Sequence, residues 1–323
     1  MNHLQQNIQA ITRLSSIDNE EFFEDYYLKN QPVVVENFAK EWPAIQRWDA
    51  SYLSRNLNDA EIVCSQSSTN KHPDFSNIRE NRYIPKSMNF DDYIKHICLA
   101  SEEDIPKIAI NRLLFMSGEK CDYRKHLNLD ALQDDFIVPQ LLPLENLELG
   151  AIWIQGQNTQ SWMHFDPFEN LYVQIQGKKR LLLVPPEHSC GVYYNTKRNG
   201  YCELDAFEPD HDAFPLYQSV PIYETELQAG EMLYIPIYWF HAVESLDVIN
   251  VTTNWWYRPT KIQLSQPALA HTLSELVSYA AEKVGEDEKA QQKVMDAASI
   301  LQELVLGPEF ATLDDFYFRA KKS

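Results

Sequence analysis

WIQGQNTQSWMHFDPFENLYVQIQGKKRLLLVPP, residues 153–186, places His164 and Asp166 two positions apart in a region of strand character. Side chains at positions i and i+2 of an extended strand project from the same face, so an imidazole and a carboxylate can converge there. His241 follows an apolar run and a predicted turn in LYIPIYWFHAVES. Two histidines and one carboxylate on one face of a metal leave the positions that Fe(II) needs for a cosubstrate and dioxygen. We therefore predict that His164, Asp166 and His241 are the metal ligands and the catalytic centre.

The H-x-D spacing alone is weak support for a metal site, and the chain contains its own control. His72-Pro73-Asp74 has the same spacing within the polar segment 70–85, which is predicted to be a loop that no strand can hold in place. His164 differs in context, because it adjoins predicted strands, precedes a turn followed by Lys179, and has a distant histidine as a third ligand.

Strand character dominates the chain from Leu147 to Pro259. Short apolar segments alternate there with Gly, Pro and Asn turns, and Gln176-Gly177 is predicted to be a hairpin turn. The predicted strands are LELGAIWIQG, ENLYVQIQG, KRLLLVPP, GEMLYIPIYWF, HAVES and VINVTTNWWY. Many short strands predict a mainly β fold with a mostly antiparallel pair of sheets, the jelly roll among the candidates.

Flanking segments have other patterns. Asp18 and Glu21 resemble a capping box that opens a helix near 18–29, and further helices and short strands follow towards the core. Residues 186–225 form a long connection between predicted strands, called the excursion below, and are predicted to be a lid or binding element. Two amphipathic helices are predicted in segment 260–323, where they either cover the barrel or form a homodimer contact.

Composition limits the classes of partner. The chain has 323 residues and a formal net charge of -19, which repels phosphate backbones, so we predict no nucleic-acid partner. Five scattered cysteines without C-x-x-C spacing fit free thiols in a reducing compartment. No signal peptide or membrane-length apolar run is visible, so we expect a soluble, intracellular and cytoplasmic protein with no membrane partner.

Polar residues inside the predicted strands suggest an anion site. Lys179 either extends to the surface, the usual case for lysine, or pairs with an anion inside the barrel. Asn170 and Asn254 also interrupt apolar strands, and buried amides need hydrogen-bond partners. The three side chains suit a dicarboxylate ligand, with a cation for its far carboxylate and neutral donors for the rest.

Five blocks in order resemble the JmjC, cupin-like family of Fe(II) and 2-oxoglutarate-dependent oxygenases. Within that family they are most similar to the subgroup of the asparaginyl hydroxylase that acts on hypoxia-inducible factor. The blocks span about residues 20–259 and read QPVVVENFAKEWPAIQRW, HFDPFENLYVQIQGKKRLLLVPP, LDAFEPDHDAFP, GEMLYIPIYWFHAVES and VTTNWWY. The resemblance implies a double-stranded β-helix with N-terminal α/β elements: an oxygenase domain over 1–259 with its core at about 105–259.

The resemblance also implies roles for individual residues. Lys179 would pair with the distal carboxylate of 2-oxoglutarate, with Ser161 beside it. Asn170 and Asn254 would line the cosubstrate pocket, and the predicted substrate-binding residues are Trp256 and Tyr172. The subgroup uses a tyrosine of an earlier strand to hold 2-oxoglutarate, but IAINRLLF, the corresponding segment here, contains none.

The predicted activity is hydroxylation of a protein or peptide side chain with Fe(II), 2-oxoglutarate and O2, releasing succinate and CO2. Hydroxylation of a small molecule, such as a free amino acid or natural product, is the alternative within the same chemistry. Lysine demethylation ranks lower because no histone-reading module is present in the chain, and the charge disfavours tRNA hydroxylation. A non-catalytic cupin-like scaffold is the alternative from another class, and a zinc or manganese sugar isomerase would usually offer more histidines.

Overall fold

The computed structural model describes residues 7–57, 61–67, 71–72, 84–99, 107–116, 132, 134–194 and 201–260, and the helical pieces 280, 283–284, 289–294 and 296–297. Side chains are described in most of these ranges, but only the backbone at 61–67, 71–72, 84–88 and 107–116. The helices are α1 (Asn19–Glu21, continued by a π-helical turn over Phe22–Tyr27), α2 (Pro43–Arg47), α3 (Ala50–Leu57) and α4 (Phe90–Leu99).

Fifteen strands are present in the described residues. They are β1 (Asn7–Ala10), β2 (Thr12–Leu14), β3 (Val33–Val35), β4 (Glu61–Ser67), β5 (Lys71–His72), β6 (Ile84–Asn89), β7 (Lys107–Met116), β8 (Leu147–Gly156), β9 (Gln160–His164), β10 (Glu169–Gln176), β11 (Lys179–Val184), β12 (Pro221–Leu227), β13 (Met232–Ile235), β14 (Phe240–Ser245) and β15 (Ile249–Tyr257).

These strands form two sheets. The minor sheet has the order β1-β12-β11-β14-β9-β5, and the major sheet has the order β2-β3-β13-β10-β15-β8-β7-β4-β6. Of the eight strands β8–β15, four lie in the major sheet (β8, β10, β13 and β15) and four lie in the minor sheet (β9, β11, β12 and β14). This arrangement is a double-stranded β-helix, so the predicted jelly-roll fold is confirmed.

N-terminal helices cover the outer face of the major sheet. Trp48 at the end of α2, Leu53 of α3 and Tyr93 of α4 are fully buried, together with Trp255 and Tyr257 of β15. The predicted N-terminal helix is also confirmed, since the Asp18 carboxylate accepts a hydrogen bond from the backbone N–H of Glu21 at 2.9 Å. These contacts fix the major sheet, which carries one wall of the barrel interior.

The excursion between β11 and β12 covers the outer face of the minor sheet. Its side chains Cys202, Leu204 and Tyr217 pack in one buried cluster with Leu182 and Ala242 of that sheet. The predicted role of residues 186–225 as a lid or binding element stays a prediction. The described part of the excursion packs as a layer behind the minor sheet and also contacts His164, since the ring centroid of Tyr201 lies 5.0 Å from that of His164. The excursion's apolar side chains have a structural reason, which is burial against a sheet whose outer face is also apolar.

One turn differs from its prediction. β10 lies in the major sheet and β11 in the minor sheet, so Gln176-Gly177 joins the two sheets and is not a hairpin turn. Gly177 has φ +73°, and a Cβ there would lie 2.3 Å from the carbonyl oxygen of Ile249, so only glycine fits this crossing.

The predicted loop at 70–85 is also partly wrong. Lys71 and His72 form β5, which pairs in parallel with Gln160 and Ser161 of β9. Sequence patterns cannot predict a two-residue edge strand, because the strand it pairs with is far away in the chain.

The predicted C-terminal helical segment lies largely outside the described residues, and so does its predicted role in a homodimer. Among the described helices, no segment combines the length and apolar character that crossing a membrane requires.

Candidate active site

The two histidines of the predicted triad face each other across neighbouring strands. His164 ends β9 and His241 lies at the start of β14, and the two residues are direct partners in the antiparallel register. Their ring centroids are 4.3 Å apart. Ligand atoms of His164, Asp166 and His241 all lie within 4.8 Å of one another, so the structure brings the three predicted ligands together.

Backbone carbonyl groups orient both imidazoles in the same way. His164 Nδ1 lies 2.7 Å from the carbonyl oxygen of Trp162, and His241 Nδ1 lies 3.0 Å from that of Trp239. A carbonyl oxygen only accepts hydrogen bonds, so each Nδ1 carries the hydrogen, and in the neutral imidazole Nε2 then keeps its lone pair. Histidine ligands of metals are commonly fixed by such a bond from the second ring nitrogen.

Asp166 lies just beyond the end of β9, in the connection to β10, and not on the strand as the spacing argument assumed. Its carbonyl oxygen accepts a hydrogen bond from the backbone N–H of Tyr238 at 3.1 Å, which ties this connection to the turn before β14. Its carboxylate accepts a hydrogen bond from Trp256 Nε1 at 2.8 Å. Two contacts distant in the chain therefore place the carboxylate beside His241, whose Nε2 is 3.7 Å from Asp166 Oδ2.

Burial also prepares His241 for metal binding. Desolvation, together with the neighbouring His164, lowers the pKa of His241 to about 4. The neutral imidazole is therefore the dominant form at pH 7, and the neutral form is the one that ligates a metal.

Lys179 points into the barrel, so the usual lysine behaviour does not apply here. It shares the inner face of β11 with Leu181 and Leu183 and is only 1% exposed. Its ammonium donates hydrogen bonds to Gln155 Oε1 at 2.6 Å, Tyr172 Oη at 3.1 Å and Thr252 Oγ1 at 3.3 Å. Burial lowers the pKa of the Lys179 ammonium to about 7.

The two predicted asparagines lie between the triad and the lysine. Asn254 Nδ2 donates to Asn170 Oδ1 at 3.1 Å, and both residues are buried. Asn254 Oδ1 is buried with no hydrogen-bond partner among the described residues, which is unusual for a buried amide. Ser161, opposite Val243 in the register, is partly exposed and is not among the described hydrogen-bond partners of Lys179.

Sequence analysis missed two partners of the lysine, Gln155 and Thr252. The only available signal was their polarity within otherwise apolar strands. Tyr172, predicted to bind substrate, is instead buried with its hydroxyl on Lys179. Trp256, the other predicted substrate contact, donates its indole hydrogen to the ligand carboxylate of Asp166.

The donor set fits a ferrous ion better than a softer metal. It offers two neutral imidazole nitrogens and one carboxylate, without thiolates among the described residues of the site. The buried ammonium of Lys179 fits an anionic cosubstrate in the same interior.

A double-stranded β-helix whose interior presents a His-Asp-His triad defines a cupin-type protein with a candidate site for one metal ion. The family model described as "Cupin-like domain" matches residues 19–262. The chain belongs to this family, and the expected JmjC, cupin-like relationship is confirmed.

Curated relatives carry several different names. The chain is 26% identical to the tRNA wybutosine-synthesizing protein 5 of Danio rerio, over 76% of this chain and 75% of the relative. It is 27% identical to JmjC domain-containing protein D of Dictyostelium discoideum, over 74% of this chain and 54% of the relative. It is 23% identical to lysine-specific demethylase 8 of Xenopus tropicalis, over 76% of this chain and 53% of the relative.

Proposed function

We propose that this chain is an Fe(II)- and 2-oxoglutarate-dependent hydroxylase that acts on a protein or peptide side chain. The observation that carries the proposal is the combination, in one barrel interior, of the His-Asp-His triad and the buried ammonium of Lys179. All three described hydrogen-bond partners of this ammonium are neutral groups. A buried charge without a counter-charge is costly, which favours a site that binds an anionic ligand.

Each group of the interior has a defined task under this proposal. His164, Asp166 and His241 hold the metal, and Lys179 binds the distal carboxylate of the cosubstrate. When bound, iron supplies dioxygen activation and oxidation of a C–H bond, with 2-oxoglutarate as the electron donor that leaves as succinate and CO2. Asn170 and Asn254 offer amide groups between these two ends, and the unpartnered Asn254 Oδ1 is available to a bound hydroxyl or water.

The chain also keeps the interior dry around the reacting centre. Leu181, Leu183 and Val243 belong to a buried apolar cluster that faces the barrel interior with Tyr172. Water exclusion strengthens the charge interactions of the site and protects reactive species from side reactions.

The net charge of -19 supports a neutral or basic peptide as the substrate. A tRNA substrate is the second candidate, because relatives of this chain are named tRNA wybutosine-synthesizing protein 5. The same charge argues against it, since phosphate backbones are repelled by an acidic surface.

Two linked measurements test the proposal. The purified protein is incubated with Fe(II) and 2-oxoglutarate, and succinate is quantified in the presence of a cell extract or of bulk tRNA. Peptides and nucleosides are then screened by mass spectrometry for the gain of one oxygen atom, with 18O2 to confirm its source. His164→Ala serves as the inactive control.

We expect succinate from the wild type, none above background from His164→Ala, and oxygen incorporation into a peptide. Oxygen incorporation into a nucleoside would replace the peptide by tRNA as the substrate. Failure of the iron-loaded wild type to consume 2-oxoglutarate with either extract would contradict the proposal and favour a non-catalytic cupin-like scaffold.

A further inference from the structure

The metal end of β9 meets the excursion on the edge opposite β14. β5 pairs with this edge at the first two residues of β9. Further along, the backbone N–H of Cys202 donates to the carbonyl oxygen of Met163 at 2.9 Å, and Tyr201 forms an antiparallel bridge with His164. The excursion therefore supplies the neighbouring backbone where β9 reaches the triad.

The ring of Tyr201 lies against the imidazole of His164. Their ring centroids are 5.0 Å apart, and the rings are tilted by 30°. The ring of His241, on β14, lies 4.3 Å from the same imidazole. Because side chains directly opposite each other on paired strands stand in contact, His164 is flanked by Tyr201 on one side and by His241 on the other.

Trp162 connects the orientation of His164 to the excursion a second time. Its carbonyl oxygen lies 2.7 Å from His164 Nδ1 and accepts the hydrogen of that nitrogen. Its indole Nε1 donates to the carbonyl oxygen of Cys202 at 2.8 Å. The residue that directs His164 Nε2 towards the metal is thus itself bound to the excursion.

The excursion is a firm support because the segment that makes these contacts is anchored in the protein interior. Cys202, Leu204 and Ala206 are buried in the cluster behind the minor sheet, whereas Tyr201 between this segment and the triad is partly exposed. A side chain on an anchored backbone can hold its neighbour in one orientation.

The other two ligands are held by the barrel itself. Asp166 is bound by Trp256 and by the backbone of Tyr238. His241 lies on β14, between β9 and β11, and is 4% exposed. His164 is less buried and ends its strand, so the contacts with the excursion complete its surroundings.

We propose that Tyr201 and Trp162 are positioning residues, through which the excursion holds the imidazole of His164 in the orientation that binds the metal. This inference rests on the metal site of the proposed function. It gives the excursion a role in metal binding in addition to its packing behind the minor sheet.

Metal titrations compare the wild type with Tyr201→Ala, which removes the ring, and Tyr201→Phe, which keeps it. Co(II) is the probe, because its binding is measured without turnover. We expect Tyr201→Ala to bind Co(II) about three- to tenfold more weakly, as for loss of an aromatic contact. Tyr201→Phe should bind Co(II) like the wild type. Trp162→Phe should also bind it about three- to tenfold more weakly, since it loses the hydrogen bond to Cys202.

Proton NMR of the Co(II)-loaded protein separates positioning from general stability. The Nδ1–H proton of each ligand histidine is expected as an exchangeable signal that the paramagnetic ion shifts. At saturating Co(II), Tyr201→Ala should move one of these two signals, that of His164, and leave the other near its wild-type position. A residue needed only for folding would leave both signals of the folded protein unchanged.

Tyr193→Ala is the matched control, because Tyr193 is another partly exposed tyrosine of the excursion. Its ring packs against Phe214 with centroids 4.9 Å apart, and its hydroxyl accepts from the backbone N–H of Leu216. This variant should lower the free energy of unfolding but keep the Co(II) affinity and both NMR signals of the wild type. Tyr201→Leu replaces Tyr201→Ala if that variant does not fold.

The outcomes separate this inference from the proposed function. No Co(II) binding by the wild type would overturn the metal site and the proposed function with it. Wild-type binding with equal affinities and unchanged signals in Tyr201→Ala and Trp162→Phe would overturn the positioning role alone. Weaker binding without a change in the signals, or an equal loss in Tyr193→Ala, would also overturn it, because the effect would then not depend on the contact with His164.

Discussion

At the metal end of the barrel interior, two of the three ligands lie two residues apart in the chain, whereas the partners of Lys179 at the other end come from three separate strands. The metal end uses residue types with few other reasons to cluster, two histidines and an aspartate. The lysine end uses Gln, Tyr and Thr, which occur in many strands for structural reasons. A site built from common side chains across several strands becomes visible only once the strands are paired.

Mutations at the metal end and at the lysine end should affect metal binding and 2-oxoglutarate binding separately. These are the largest effects that we predict. Asp166→Ala is expected to lose Fe(II) affinity and succinate formation by a hundredfold or more, because it removes the only carboxylate of the triad. Lys179→Met should keep the metal but lose 2-oxoglutarate affinity to a comparable extent, because it removes the cation. Metal content by atomic absorption and 2-oxoglutarate binding by calorimetry measure the two properties separately.

His96→Ala is the control for this pair of variants, since His96 lies on α4, which packs on the outer face of the major sheet. It should retain both metal and cosubstrate. Loss of metal from Lys179→Met, in a variant that unfolds cooperatively like the wild type, would show that the two ends are not independent.

Sequence patterns predicted six of the eight strands β8–β15, all except β9 and β12, because each of the six is short, apolar and bounded by turn residues. They failed at Gln176-Gly177, where a tight turn predicts a hairpin but the strands enter different sheets. For the excursion at 186–225 the prediction of a lid or binding element stays a prediction, because length alone cannot distinguish a lid from a layer that packs behind a sheet. In the site, the triad and Lys179 were predictable, whereas Gln155, Thr252 and the position of Tyr172 depend on strand pairing.

A pH titration sharpens the contrast, because the lysine end should titrate near neutrality. Burial lowers the pKa of Lys179 to about 7, so the free pocket loses its positive charge as the pH rises above 7. Anion binding favours the ammonium, and affinity for 2-oxoglutarate should therefore fall by up to tenfold per pH unit above that value. Tyr172 stays protonated over this range because burial raises its pKa.

Calorimetry of the Mn(II)-loaded protein between pH 6.5 and 9, in buffers of different ionisation enthalpy, measures both the affinity and the proton uptake. Uptake should approach one proton per ligand at the alkaline end and vanish in Lys179→Met. A constant affinity for 2-oxoglutarate across this range would show that Lys179 remains charged in the free protein.

The smallest expected effect concerns how the metal end is held in place. Trp256 donates its indole hydrogen to Asp166 at 2.8 Å, so it fixes the rotation of the ligand carboxylate without touching the imidazoles in any described contact. Mutation of a residue that hydrogen-bonds to a metal ligand typically lowers metal affinity by ten- to a hundredfold. We expect Trp256→Phe to bind Co(II) about tenfold more weakly and to change the visible absorption spectrum of the bound Co(II), since the carboxylate gains freedom to rotate.

Trp255→Phe is the control on the same strand, because that indole donates to Thr253 at 3.2 Å and packs in the cluster behind the major sheet. This control should lower the free energy of unfolding but leave the Co(II) spectrum unchanged. Equal Co(II) affinities of the two variants would mean that the turn contact between Tyr238 and Asp166 is sufficient to hold the carboxylate.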